Sequence, residues 1–150
     1  MLIQGSCHCR NLRFRLHWPD ASKPIPARAC GCSFCRKHGG VWTAHPEARL
    51  ELQVEDAGAV ERYAFETRTA DFHVCMRCGV VPWVSSLIEG RHYAVVNANA
   101  FDGIEPQDLQ RMDVSFDGER SEDRLARRAA RWIPDPSGLP LAAPAQEGAR

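Results

Sequence analysis

Seven cysteines in 150 residues constrain this chain more than any other feature, because of how they are spaced. They fall in three groups: Cys7 and Cys9 in CHC, Cys30, Cys32 and Cys35 in CGCSFC, and Cys75 and Cys78 in CMRCG. An odd number cannot pair completely in disulfides. The opening residues, MLIQGSCHCRNLRF, lack the apolar core of an export signal, so the expected setting is cytoplasmic, where thiols stay reduced. Clustered reduced thiols point to metal. The strongest single element is C-x-x-C-G, in which a tight turn aims two sulfurs at one point and the glycine lets the backbone close behind them.

Spacing alone leaves two ways to group the sulfurs. Cys32 and Cys35 with Cys75 and Cys78 would make a paired C-x-x-C site and leave Cys7, Cys9 and Cys30 over. Alternatively, Cys7 and Cys9 join Cys75 and Cys78, and the triplet stays whole. Loop-closure entropy favours the second, since three cysteines within six residues reach one ion with little chain ordering. A triplet is informative in itself. Structural zinc takes four protein ligands, whereas three ligands and an open position mark a catalytic zinc.

The rest of the chain reads as short strands. NLRFRLHW (11–18) alternates Leu12, Phe14, Leu16 and Trp18 with Arg13, Arg15 and His17, the period of a half-buried strand. ARLELQV (48–54) repeats it, and VWTAH, VERYAF, DFHV, HYAVVNA and MDVSF are further strand candidates, separated by Gly, Asp and Pro clusters. The expectation is a mainly β, antiparallel fold with one short C-terminal helix, SEDRLARRAARWI (121–133). Ser121 is its expected N-cap, Leu125, Ala129 and Trp132 its apolar side, and Arg127, Arg128 and Arg131 a solvated face. We expect one zinc-binding domain over residues 1–133 and a poorly ordered tail over 134–150, which holds four prolines.

Basic and acidic residues number 19 each, so no net field draws the chain to nucleic acid or an anionic membrane. No segment has the length of apolar sequence that a membrane span requires.

The order C-x-C, then C-x-C-x-x-C-R-K, then C-x-x-C-G resembles the glutathione-dependent formaldehyde-activating enzyme family, which also includes centromere protein V. The resemblance covers roughly residues 3–105, and all seven cysteines match. It implies a tent of antiparallel β-sheets stapled by zinc, with two ions per chain. Cys7, Cys9, Cys75 and Cys78 would hold a structural zinc, and Cys30, Cys32 and Cys35 a catalytic one. The implied activity is that of a carbon–sulfur lyase, adding glutathione to formaldehyde or a related aldehyde, or reversing that addition. Three thiolates on a divalent ion leave a net negative charge. Such a zinc is a poor activator of water and suits a fourth sulfur instead.

Arg36, Lys37 and His38 follow the triplet directly and are candidates to meet glutathione's carboxylates or a developing oxyanion. His38 is also the competitor for the open position, because Cys35-x-x-His38 has ligand spacing. A closed site would favour the alternative function, a non-catalytic zinc module that binds a protein or nucleic-acid partner. His8 and His17 read as surface residues, while His45, His73 and His92 read as strand residues without an assigned partner. Trp42 and Trp83 read as core. Asn97 and Asn99, at the end of a strand, either face a pocket or belong to an ordinary turn.

Overall fold

The computed structural model describes residues 1–21 and 23–140. In chain order the first strands are β1 (Leu2–Ser6), β2 (Leu12–His17), β3 (Ile25–Cys30), β4 (Val41–Thr43) and β5 (Arg49–Val54). They are followed by β6 (Val60–Tyr63), β7 (Asp71–Cys75), β8 (Trp83–Ile88), β9 (Arg91–Asn97), β10 (Leu109–Val114) and β11 (Ile133–Pro134). Helix α1 (Ser33–His38) lies between β3 and β4, and helix α2 (Ser121–Arg131) between β10 and β11. No helix among the described residues is long and apolar enough to cross a membrane.

Two sheets form. The smaller is antiparallel in the order β1-β2-β5; the larger runs β10-β3-β4-β9-β8-β7-β6, with β11 also paired to β9. The mainly β, largely antiparallel expectation holds, with one exception. β10 lies parallel to β3, from Leu109 opposite Ile25 to Val114 opposite Cys30.

Side-chain alternation explains the layering. In β2, Leu12, Phe14 and Leu16 turn inward with Ile3, Leu50 and Leu52 of the neighbouring strands, and they pack against Trp83, Ala94 and Val96 of the larger sheet. The alternate residues Val84, Tyr93 and Val95 point to the opposite face and pack with Trp42, Phe72 and Trp132. β8 and β9 are therefore covered on both sides, which is why HYAVVNA is apolar almost throughout rather than alternating.

The C-terminal region departs from expectation in three ways. Ser121 is the first helical residue, not the N-cap; Arg120 holds the cap position without a side-chain bond, and Glu122 and Asp123 supply the negative charge of the first turn. The helix ends at Arg131 because Ile133 leaves it to pair with Ala94 of β9. Residues 134–140 are not a loose tail. Asp135 accepts a forked ion pair from Arg91 at 2.7–3.1 Å, Ser137 N–H donates to Leu50 O at 3.0 Å, and Leu52 N–H donates to Ser137 O at 2.9 Å. This strap ties β9 to β5 and so joins the two sheets. The remainder of the expected tail, residues 141–150, lies outside the described residues.

Candidate functional site

The structure brings the seven sulfurs into the second of the two groupings. Those of Cys7, Cys9, Cys75 and Cys78 lie within 4.8 Å of one another, and so do those of Cys30, Cys32 and Cys35. Each set has the donor chemistry and the convergence to hold a thiophilic metal ion.

The four-sulfur set joins the turn after β1 to the turn after β7. Leu12 N–H donates to Cys7 Sγ at 3.3 Å, while Gly79 N–H donates to Cys75 O at 2.7 Å. Gly79 takes φ of 79°, a conformation glycine adopts without strain, so the C-x-x-C-G turn closes as its spacing requires. Cys9 Sγ sits 3.5 Å from Cys75 Sγ across 66 residues of chain. Burial pushes the Cys7 thiol up to about 12 and raises Cys75 as well. Burial opposes ionisation of Cys78 too, but hydrogen bonds from the backbone N–H groups of Cys9 and Val80 and from the Cys75 and Cys7 thiols together hold its thiol at about 6. Four sulfurs this close resist holding more than one negative charge unless a cation sits among them.

The three-sulfur set is built by the end of β3 and by α1. Cys30 closes the strand, and Cys32 is the N-cap of α1, where its sulfur accepts from Cys35 N–H at 3.4 Å. Cys35 is buried in the helix, and Trp42 Nε1–H donates to its Sγ at 3.3 Å. Gly39, with φ of 74°, ends the helix and donates to Cys35 O. A hydrogen bond from Cys35 brings the Cys30 thiol down to about 5 against its burial, helped by Cys32 and by the charge of Arg127. The shared proton stays on Cys35, whose thiol is correspondingly raised. Among the described residues no fourth Cys, His, Asp or Glu joins this group.

His38 is exposed and stacks on Phe34, ring centroids 5.3 Å apart, outside the sulfur group. Arg36 and Lys37 are exposed on the same helix, and Arg36 lines an open surface hollow with Cys30, Cys35 and Arg111. A second cavity is lined by Cys30, Cys32 and Cys35 together. Trp42, Phe65, Phe72, Phe116 and Trp132 make its apolar walls, and Arg28, Arg124, Arg127 and Arg128 line it too.

Those arginines were not among the sequence candidates, and one expectation fails here. Arg128 does not belong to a solvated face: it is 7% exposed and donates to Thr69 Oγ1 at 2.8 Å and Ser86 Oγ at 3.4 Å. Its spacing from Leu125 and Trp132, three and four residues, was the available signal, because it puts Arg128 on the apolar side of the helix. Arg127 lies over the Phe116 ring at 3.7 Å and makes a forked pair with Glu119, both bonds 3.0 Å. Arg28 is half-buried, and burial together with the like charges of Arg127 and Arg131 lowers its pKa.

The remaining candidates are structural. Trp42 and Trp83 are buried, as expected, although Trp42 also touches the sulfur site. His8 is exposed and His17 pairs with Glu51 at 3.2 Å. His73 is buried against Ser85 Oγ at 2.8 Å, His45 packs on Trp18, and His92 is half-buried. Asn97 is buried and donates to Val81 O, while Asn99 donates to Gly39 O at 2.8 Å and pins the end of α1.

A family model and a curated relative point to one family, and a solved structure shares the fold. A family model described as "Glutathione-dependent formaldehyde-activating enzyme" matches residues 2–115. A curated Halomonas elongata protein, provisionally named as such an enzyme, is 31% identical over 91% of this chain and 92% of its own length. A crystal structure of a Rhodobacter sphaeroides protein is similar in fold, with a TM-score of 0.54 and 28% identity over 73% of this chain and 97% of that one.

Proposed function

The chain belongs to the glutathione-dependent formaldehyde-activating enzyme family, and on that premise we propose that it is a zinc-dependent carbon–sulfur lyase. It joins a thiol, glutathione being the one the family's name gives, to formaldehyde or a related aldehyde, or releases the two, at Cys30, Cys32 and Cys35. The observation that carries this reading is the convergence of three sulfurs on a cavity wall with no fourth donor among the described residues. A zinc ion on those sulfurs supplies, when bound, an open position that takes a substrate thiol and favours its thiolate. The second zinc of the chain belongs to Cys7, Cys9, Cys75 and Cys78, where four ligands close the site and cross-link the fold. A reducing cytoplasmic setting suits both the free cysteines and a thiol substrate.

The chain's own residues do the rest. Trp42 Nε1–H and the N-cap bond of Cys32 fix the sulfur positions, and the aromatic walls keep water from the reacting atoms. Arg127 puts positive charge on the wall where the sulfur, and then the new alkoxide, becomes negative. In the forward direction the S–H bond breaks and an S–C bond forms. The π pair of the carbonyl moves to oxygen, and a proton returns to that oxygen, giving S-hydroxymethylglutathione. The reverse sequence returns both reactants.

Exchange spectroscopy with ¹³C-formaldehyde and glutathione tests the reading, since it measures the rate of adduct formation directly. Zinc-loaded protein should exceed the spontaneous rate, and the Cys32→Ser variant should not. Identical rates with and without the wild-type protein would remove the enzyme assignment.

A further inference from the structure

Phe116, Asp117, Arg124, Arg127, Arg128 and Trp132 of the cavity lining lie beyond the stretch 2–115 that the family pattern matches. The lining's chemistry does not follow from glutathione and formaldehyde alone. Formaldehyde is too small to need aromatic walls. Glutathione is a peptide, and its amide groups would lose their hydrogen bonds to water against Trp42, Phe65, Phe72, Phe116 and Trp132, which is unfavourable for each group left unpaired.

The charges point the same way. Of the four lining arginines, Arg124 and Arg127 share Glu119, at 3.6 Å and 3.0 Å. Arg28 and Arg128 make no close ion pair with a carboxylate among the described residues; Glu119, already shared by Arg124 and Arg127, acts on Arg128 only at longer range. Arg128, more than nine-tenths buried, bonds the neutral oxygens of Thr69 and Ser86, and among the described residues its Nε–H has no acceptor. Arg28 makes no ion pair among the described residues and faces the like charges of Arg127 and Arg131. The two lining carboxylates, Glu66 and Asp117, are exposed and reach neither guanidinium. Three thiolates on a divalent ion leave one negative charge, which can offset one guanidinium. The second calls for an anion from outside, because a buried charge without a counter-ion is strongly disfavoured.

We propose that this cavity selects an organic acid with an apolar body, and that Arg28 and Arg128 bind its carboxylate. The substrate class is then a carboxylate-bearing thiol with an apolar stem, or its hydroxymethyl adduct, whose sulfur lies at Cys30, Cys32 and Cys35. This rests on the thiol reading above.

Calorimetry on the zinc-loaded full chain separates the two claims. Hexanoate, which has no thiol, should bind wild-type protein, and hexanamide should not. Because a charge-assisted bond is lost, Arg28→Gln should weaken hexanoate about tenfold or more, with Arg28→Lys retaining part of the affinity. Since the Arg28 side chain makes no ion pair among the described residues, Arg28→Gln should keep its melting temperature. If that variant fails to fold, hexanoate against hexanamide on wild-type protein still decides. In the thiol arm, 6-mercaptohexanoate should bind more tightly than both 6-mercaptohexanol and glutathione. Glutathione binding tighter than 6-mercaptohexanoate, or hexanoate binding no better than hexanamide, overturns the proposal. Tight hexanoate binding with no gain from the thiol would leave the anion pocket standing and remove the thiol reading instead.

Discussion

Replacing Cys78 by serine should cost the protein far more stability than replacing Cys32 by serine, although each change removes one sulfur from a cluster. The reason is the length of chain that each cluster closes. Cys9 and Cys75 are 66 residues apart, and they join the turn after β1 of the small sheet to the end of β7 in the large one. A cross-link over that span removes entropy from the unfolded chain worth about 4 kcal/mol. Total stabilities of single domains are about 5–15 kcal/mol, so this one link is a large share. For a chain of this size the loss corresponds to a melting temperature lower by about 10 °C. The triplet closes only the turn from Cys30 to Cys35, within one strand end and one helix, and holds no distant segments together. Serine at position 32 also keeps the N-cap acceptor that Cys32 provides to Cys35 N–H. Its melt should therefore lie within a few degrees of wild type. Thermal melts by circular dichroism, with metal content measured alongside, decide the matter. Equal shifts, or a larger loss for Cys32→Ser, would refute the division into a stapling cluster and a local one.

Three further outcomes are expected. Gly138→Ala should destabilise the protein by about 1–3 kcal/mol, because residue 138 has φ of 73° and a Cβ there would collide with the Leu52 carbonyl; urea melts check it, and an unchanged midpoint would mean that the strap is not docked. Trp42→Phe should lower metal affinity at the three-cysteine cluster about tenfold by removing the N–H that orients Cys35, while chelator competition at the four-cysteine cluster stays unchanged. The bond from Arg127, with the charges of Arg127 and Arg124, holds the Glu119 carboxyl below its ordinary 4.5; its stabilisation is complete above that pH and is lost as pH falls through the folded value. The stability difference between wild type and Glu119→Gln should accordingly shrink as pH falls below 4.5, and a constant difference in paired melts would count against the ion pair.

Strands with one wet face were legible because their side chains alternate, as Leu12, Phe14 and Leu16 do in β2. β8 was not, because its buried Ser85 and Ser86 read as polar while they serve His73, Thr69 and Arg128. The pairing of β10 with β3 joins residues more than 80 positions apart, and no local pattern announces such a contact. At the site, the cysteine groups could be read from spacing and chain entropy, since sulfur ligands must converge. The cavity could not be read. Its arginines come from β3 and α2, and the burial of Arg128 depends on Thr69 and Ser86, which only the folded sheet brings to it. The strap at 134–140 looked unstructured for a related reason. Its hydrogen bonds go to β5 and β9, and its own sequence offers little beyond prolines to foretell them.

Catalysis at Cys30, Cys32 and Cys35 requires an open position on the ion they hold. Cobalt put in place of zinc makes that position visible, because sulfur-to-metal charge-transfer bands grow when another thiolate binds. Adding glutathione to the cobalt-loaded protein should strengthen those bands and release a proton near neutral pH, whereas S-methylglutathione should leave the spectrum unchanged. A spectrum that ignores glutathione in the wild type, yet responds once His38 is replaced by alanine, would show a fourth protein ligand and contradict the catalytic assignment.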